Sequence, residues 1–408
     1  MQSVPSATAA LPTDLAGLPR LLAYTQALGL ERFLFRPTRG IPSLVLALVW
    51  LALAWRGTGR PQHVAELQEP LLAMLLGRDR LPSATTLYRS LRRFPAQAVR
   101  AAVETAYRAE LARRTERVWV SLDSHQLPYW GRGQRHRFQK GWAGNHGRRL
   151  RGYRLYLAVD TATGQIITFL LTTGNTPDPS MTALLTRRVR HLLGRKLAGV
   201  VADSGFTSRA SVAALLQTGV PFILGFSRTA PIRARLARLS GQQRRWLRDG
   251  GAIRLGTCPW DTRLRLIAVG ARSPTDRRGP WVYLTSLRSY GPQQLIALYR
   301  RRGRVEQTID ELLNGHDFDH LVGYRLHPNR VAVGFRLLAR NLAIGLQLAT
   351  AEQPSQPIRE PRAFRAAHVD GLGTFTVEGR TFIVRPLCPS PGQRLLLGWT
   401  HRVVHLAA

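Results

Sequence analysis

The chain has few acidic residues, almost no lysine and only two cysteines. Of its 408 residues, 24 are Asp or Glu and 59 are Lys or Arg, and the only lysines are Lys140 and Lys196. Two cysteines, Cys258 and Cys388, cannot build a disulfide framework, nor a tetrahedral zinc site by themselves. A reducing cytosol is therefore the expected environment.

Long apolar runs, a secretory signal and repeats are also lacking. The longest apolar run, SLVLALVWLALAW at residues 43–55, has 13 residues, below the roughly 20 that a membrane-spanning helix needs. It predicts a buried helix instead. Residues 1–15 show no basic segment followed by an apolar core, so no secretory signal is predicted, and no membrane partner is expected.

Positive charge and apolar content are what the chain does have. Its formal net charge is +35, its isoelectric point is about 11.7, and 44% of its residues are hydrophobic. Such a composition predicts a folded protein that binds a polyphosphate, which means nucleic acid. A basic but otherwise ordinary soluble protein is the alternative that composition leaves open.

Residues 1–115 predict an all-α N-terminal domain that binds DNA. One segment places Ser83 as a helix cap before an apolar stripe of Leu87, Leu91 and Phe94, with Arg89, Arg92 and Arg93 outside the stripe. This is a candidate helix for DNA contact. An ordinary surface helix with solvated arginines explains the same pattern.

The remainder predicts a mixed α/β protein. Residues 116–228 contain strand-like and helix-like segments in the order β-β-β-α-β-α-β, which describes the first part of a mixed sheet. Residues 229–290 predict a β-rich insertion, residues 291–350 predict helices, and residues 351–408 form a C-terminal region with a hairpin-like pattern at residues 374–386.

Two aspartates follow hydrophobic segments of the predicted sheet. Asp123 is expected at the end of the first strand and Asp203 at the end of the fourth, and these strands are expected to be neighbours. Adjacent carboxylates raise each other's pKa, and a divalent cation such as Mg²⁺ removes that cost. Either aspartate alone is also explained as a turn or cap residue, and this is the better explanation for Asp160, which opens a hairpin turn.

A third acid, Glu306, lies among four arginines in the stretch YRRRGRVEQ at residues 299–307. On one continuous helix, positions 299, 302 and 306 are three and four apart and share a face. The glutamate can then reach a metal while its neighbours reach a phosphate. A local ion pair on a solvated helix face remains the alternative.

On these residues the chain resembles the bacterial insertion-sequence transposases that have an RNase H-like core, a D-D-E triad and a Tyr-x2-Arg-x3-Glu-x6-Lys signature. Tyr299, Arg302 and Glu306 match the first three signature positions, and the run from 152 to 178, which closes with GN-x-x-D, is similar to the strand-hairpin-strand segment of that group. The resemblance covers roughly residues 117–350. Two departures are Leu313, where the final basic residue is expected, and Gly303, where an aromatic is common.

The resemblance implies a fold, a chemistry and partners. The fold is an RNase H-like mixed sheet with flanking helices, in which Asp123, Asp203 and Glu306 are catalytic and hold two Mg²⁺ or Mn²⁺ ions. The implied reaction is cleavage of phosphodiesters at transposon ends and strand transfer into target DNA, by a homodimer on paired ends in the bacterial cytoplasm, associated with the nucleoid when bound. A non-catalytic DNA-binding repressor and a stand-alone RNase H-like nuclease remain as alternatives.

The DNA contacts expected are Tyr299 and Arg302, from the signature, and several arginines. Arg301 is a possible substitute for the missing basic residue, as is Arg304, and the basic runs beside the Asp123 strand add Arg148, Arg149 and Arg151. In such transposases the β-rich insertion can stack an extruded base on tryptophan. Here the insertion contains Trp246, Trp260 and Trp281, each of which is equally explained as a core residue.

Overall fold

The computed structural model describes most of the chain. It covers residues 11–34, 40–67, 70–270, 280–351, 358–370, 372–378 and 381–386. Cys258 is buried as a free thiol, whereas Cys388 lies outside the described residues.

Helices and strands are numbered in chain order. The helices are α1 Leu18–Ala27, α2 Glu31–Leu34, α3 Ser43–Trp55, α4 Pro70–Leu75, α5 Ala84–Ser90, α6 Ala96–Ala112, α7 Asp178–Leu193, α8 Arg209–Thr218, α9 Ala230–Ala237, α10 Gly241–Arg248, α11 Pro292–Arg300, α12 Gly303–Gly315, α13 Leu326–Thr350 and α14 Pro361–His368. The strands are β1 Leu11–Thr13, β2 Val118–Pro128, β3 Gln139–Ala143, β4 Arg148–Asp160, β5 Ile166–Thr173, β6 Leu197–Ala202, β7 Phe222–Phe226, β8 Ala252–Cys258, β9 Asp261–Val269, β10 Trp281–Thr285, β11 Gly373–Glu378 and β12 Thr381–Pro386.

Strand β2 lies at the centre of a mixed sheet. It pairs antiparallel with β4 and parallel with β6, while β5 pairs antiparallel with β4 and β7 pairs parallel with β6. The antiparallel strands β4 and β5 are joined by a short turn, whereas the parallel neighbours require the crossover helices α7 and α8. The predicted mixed α/β sheet with flanking helices is confirmed, including the pairing of its first and fourth predicted strands.

Four strands extend this sheet beyond the predicted core. At one edge β3 forms a hairpin with the first half of β4, in a basic segment for which no strand was predicted. At the other edge β10 pairs antiparallel with β7, and β9 and β8 follow in order. The strands of residues 229–290 therefore continue the same sheet, and helices α9 and α10 precede them.

Alternate residues of β4 face two different hydrophobic cores. Leu155, Leu157 and Val159 join the core that includes α3, α6 and α13, whereas Tyr156 and Ala158 join the core that includes α7 and α8. Successive side chains of a strand point to opposite faces, so a sheet covered by helices on both sides needs apolar residues at every position.

The predicted buried helix is α3, and it packs against α13. Trp55 at its end is buried and donates its indole N–H to the carbonyl of Ala339 at 2.9 Å. Among the described residues α13 is long and apolar enough to cross a membrane, but 89% of its most apolar window is buried in the protein. Helix α13 is therefore a helix of the protein core.

Two further local predictions are confirmed. The Ser83 hydroxyl accepts the backbone N–H of Thr86 at 3.3 Å, capping α5, and the stripe of Leu87, Leu91 and Phe94 is buried. The arginines beside the stripe are exposed, so their contact with DNA stays a prediction. Residues 374–386 contain the hairpin of β11 and β12, to which β1 adds a third strand.

Candidate active site

The parallel pairing of β2 with β6 brings Asp123 and Asp203 together. The register pairs Leu122 with Ala202, and Asp123 and Asp203 are the residues that directly follow them. Since paired residues of neighbouring strands point to the same face, the two carboxylates lie side by side at one edge of the β2–β6 ladder.

Asp123 does not end its strand, and this part of the prediction was wrong. Strand β2 continues to Pro128 because its other edge remains hydrogen-bonded to β4, with Asp123 opposite Leu157. The aspartate ends only the ladder shared with β6. It is buried, with 9% of its surface exposed, and one carboxylate oxygen accepts the N–H of Ser124 at 2.8 Å.

Asp203 does follow the end of its strand directly. Its carboxylate accepts the N–H of Gly205 at 3.0 Å and caps a short 3-10 turn of residues Ser204–Phe206. This turn lies tightly against β7. A Cβ on Gly225 would stand 2.6 Å from the backbone nitrogen of Ser204 and 3.1 Å from the carbonyl carbon of Asp203, so only glycine permits this approach.

Glu306 lies in the first turn of α12, which packs through Val305, Ile309 and Leu312. This 4-3 spacing buries one stripe of the helix and leaves Glu306 exposed beside the two aspartates. The continuous helix on which positions 299, 302 and 306 were expected to share a face is interrupted at residues 301–302, between α11 and α12. Backbone N–H groups there bond three residues back, as Arg302 does to Tyr299 at 2.8 Å, and Gly303 begins the new helix.

Arg302 lies between two of the three acids. Its Nη1 is 2.5 Å from Oε1 of Glu306 and its Nη2 is 3.3 Å from Oδ2 of Asp123. Only 14% of its side chain is exposed. Burial lowers the pKa of Arg302, but its acidic neighbours outweigh that effect and hold the pKa above its usual value. The guanidinium is thus the cation that these carboxylates share.

The three acids line one cleft of about 560 Å³. A fourth carboxylate, Asp178, lines it as well and accepts two hydrogen bonds from Arg154, at 3.0 and 2.8 Å. Arg154 also donates to the hydroxyl of Ser124 at 2.8 Å, next to Asp123. Asp178 closes the GN-x-x-D run, but it is not among the site residues predicted from the sequence.

Burial makes the charged form of the carboxylates in the cleft costly. The pKa of Asp123 is raised to about 6, chiefly by burial; Arg302 opposes this rise, whereas Asp203 and Glu306 add to it. The pKa of Asp203 is likewise raised, first by burial. Carboxylate oxygens facing a polar cleft are the donors that Mg²⁺ and Mn²⁺ prefer.

The donor set therefore fits a divalent cation, but it is not assembled around one. Within the described ranges, no three His, Cys, Asp or Glu side chains converge closely enough to hold a metal ion. Glu306 is instead paired with Arg302, and 58% of its side chain is exposed, which leaves this side chain room to rotate.

The residues predicted to contact DNA fall into two groups. Arg301, Arg148 and Arg149 are exposed. Tyr299 packs against Tyr283 with ring centroids 4.3 Å apart and the ring planes tilted by 56°, and Arg151 donates to the carbonyl of Phe138 at 2.8 Å. Arg302, as described, binds acids instead. Whether these residues contact DNA stays a prediction.

The signature departures and the insertion tryptophans are also placed. Leu313 is partly buried against the main core, which suits its apolar side chain. Arg304 donates to the carbonyl of Thr163 at 3.0 Å, so it is already engaged. Trp246 and Trp281 are 50% and 41% exposed, whereas Trp260 packs on Phe226.

No curated protein sequence matches this chain. A solved structure titled "Cryo-EM structure of piggyBac transposase synaptic complex with hairpin DNA" aligns with 14% sequence identity and a TM-score of 0.48, covering 88% of this chain and 81% of that one. The family profile described as "Transposase DDE domain" matches residues 119–342, which is more than half of the chain and contains Asp123, Asp203 and Glu306. The chain therefore belongs to the family of transposases with a DDE domain.

Proposed function

We propose that the chain is a catalytically competent DNA transposase of the bacterial insertion-sequence type, which cuts DNA at transposon ends and transfers the strands into target DNA by a cut-and-paste route. Membership of the DDE transposase family supports the transposase function. The observation that carries the catalytic part is the meeting of Asp123, Asp203 and Glu306 at one cleft, from two strands and a helix far apart in sequence.

In this proposal the three carboxylates hold divalent metal, two Mg²⁺ or Mn²⁺ ions per site. Such ions, when bound, activate an attacking oxygen and stabilise a leaving one in phosphodiester chemistry. The chain itself holds Asp123 on strand β2 and Asp203 at the start of the turn after β6, and it supplies Glu306 from α12 as an exposed side chain. Arg302, once released by Glu306, is free to donate to a phosphate, which is the role that the signature implies for it.

The partner in this proposal is double-stranded DNA, bound as transposon ends and as target by a homodimer in the bacterial cytoplasm. The net charge of +35 supports polyphosphate binding. Arg148 and Arg149 are exposed on the hairpin of β3 and β4, beside the cleft, and Arg301 is exposed next to Arg302. Tyr299 is mostly buried, so its proposed contact is with a phosphate that approaches the junction of α11 and α12.

The test is a cleavage and joining assay with linear DNA that carries the sequences flanking the coding segment, in Mg²⁺. Glu306→Gln keeps the size of the side chain and removes its charge, and we expect cleavage to fall by at least about 100-fold. Asp310→Asn is the matched control, because Asp310 is an exposed acid one turn further along α12 that lines the same cleft. Its activity should stay close to that of the wild type.

Other results would favour the other functions. DNA binding without cleavage by the wild type would identify a repressor, and cleavage without strand joining would identify a nuclease. If Glu306→Gln and Asp310→Asn were equally active, the assignment of Glu306 would be rejected.

A further inference from the structure

Trp142 on strand β3 is an exposed aromatic residue at the candidate active site. Its side chain is 56% exposed, and it belongs to none of the three hydrophobic cores of the described residues. It lines the same cleft as the three acids. A Cβ on Gly144, another residue of the cleft wall, would lie 4.0 Å from the indole nitrogen, which places the ring itself at the rim.

The backbone that carries this indole is held firmly. The carbonyl of Trp142 accepts a hydrogen bond from Arg154 at 2.7 Å, and Arg154 is bound in turn to Asp178 and Ser124. At the preceding residue, a Cβ on Gly141 would stand 2.0 Å from the carbonyl oxygen of Gly174, so this strand is pressed against the sheet. The ring is thus exposed on a rigid support, which lowers the entropic cost of binding a planar partner.

Cationic side chains surround the indole on its own face of the hairpin. Arg149 is its direct partner across the β3–β4 ladder, and Lys140 is two residues earlier on the same strand. Both are exposed. An exposed aromatic ring between cations, beside a cleft that is rich in carboxylates, matches the composition of a surface that binds a single nucleic-acid strand through base stacking and phosphate contacts.

We propose that Trp142 is a stacking platform for an unpaired nucleobase of the DNA strand that enters the cleft. The DNA substrate is taken from the proposed function, on which the inference rests. Lys140 and Arg149 contact the phosphates on either side of the stacked base, and the base shields the indole from water. A paired base within a duplex has its faces covered by its neighbours, so the platform discriminates in favour of a frayed or single-stranded end.

The test is a binding assay in EDTA, so that cleavage plays no part. Two probes are compared: a blunt duplex, and the same duplex with a short single-stranded 3′ tail that contains 2-aminopurine. We expect the fluorescence of the tail to be quenched on binding wild-type protein. Trp142→Ala should lose about 5- to 100-fold in affinity for the tailed probe and keep its affinity for the blunt one. Trp142→Phe, which retains an aromatic face, should preserve most of the tail affinity.

Trp130→Ala is the matched control, because Trp130 is 45% exposed but is not part of the cleft wall. It should bind both probes as the wild type does. The inference is overturned if wild-type protein does not quench the tail, or if Trp142→Ala loses the same factor on both probes or on neither. The wild-type quench and the Trp142→Phe variant decide the matter even if Trp142→Ala fails to fold.

The cleavage assay separates this inference from the proposed function. Wild-type protein that quenches the tail through Trp142 but never cleaves would support the platform and reject the enzyme. Cleavage that depends on Glu306, without any quenching of the tail, would reject the platform alone.

Discussion

Arg302 and Glu306 form an ion pair across one helical turn, with 2.5 Å between Nη1 and Oε1, and the same guanidinium reaches Asp123 at 3.3 Å. Two acids that are 183 positions apart in the sequence thus share a cation that belongs to the chain itself. The glutamate that the sequence pattern suggests as a metal ligand is therefore paired with one of the arginines that the same pattern suggests for phosphate binding.

We predict that Arg302 competes with metal in DNA-free protein. Arg302→Ala should raise the affinity for Mn²⁺ by about three- to tenfold, because a partly exposed ion pair is worth about 1 kcal/mol. Arg302→Lys, which keeps the charge, should change the affinity less. Titration calorimetry of each variant measures this effect, and Arg301→Ala is the control from the same turn. A lower Mn²⁺ affinity in Arg302→Ala would show that Arg302 assists metal binding.

Asp123 should make the stability of metal-free protein depend on pH. Its pKa is raised from 3.8 to about 6, chiefly by burial, so the folded protein binds this proton more tightly than the unfolded chain does. Its contribution to stability is therefore full below a pH of about 4 and is lost as the pH rises through about 6.

Asp123→Asn should remove this dependence. At pH 7.5 in EDTA we expect it to raise the free energy of unfolding by up to about 3 kcal/mol, and at pH 4 to leave it nearly unchanged. Denaturant unfolding at both pH values measures the difference. A variant that is less stable than the wild type at pH 7.5 would show that the ion pair with Arg302 outweighs the cost of burial.

Gly225 should control the position of Asp203. Gly225→Ala would place a methyl group 2.6 Å from the nitrogen of Ser204, so the turn that carries Asp203 has to move. We expect a loss of about 1–3 kcal/mol in stability and a larger proportional loss of cleavage. Gly241→Ala is the control, since a Cβ there meets no atom within 4 Å. Cleavage at the wild-type rate in Gly225→Ala would show that the position of this turn does not affect the reaction.

DNA affinity should fall steeply with salt, because bound arginines release condensed counterions. We predict that Arg149→Ala reduces the slope of log affinity against log salt by about 1. Arg195 is the control: it is exposed just before β6 begins, at the end of that strand remote from Asp203, and Arg195→Ala should leave the slope unchanged. Equal slopes for the wild type, Arg149→Ala and Arg195→Ala would show that the hairpin of β3 and β4 does not contact DNA.

Several features follow from short stretches of sequence. The apolar run of α3 is buried, Ser83 caps α5, and Asp160 accepts the N–H of Ala162 at 2.8 Å in the predicted hairpin turn. The adjacency of Asp123 and Asp203 was also predictable, because the crossover helix α7 after β5 is expected to place β6 next to β2 in the sheet. These features depend on periodicity, turn chemistry and strand order, all of which are present in the sequence.

Tertiary structure alone decided how the site is arranged. Strand β3 carries too few apolar residues to be recognised, and it is a strand because β4 offers it a free edge. No proline marks the break between α11 and α12 in the sequence. The continuation of β2 past Asp123 depends on its pairing with β4. The sequence by itself determined which residues carry charge, which are apolar and which acids stand out. Only long-range pairing and packing decided that Arg302 binds two of those acids and that Trp142 lies exposed beside them. Apart from the pair of Arg302 with Glu306, these contacts join residues that are far apart in the sequence, and local sequence patterns do not specify such contacts.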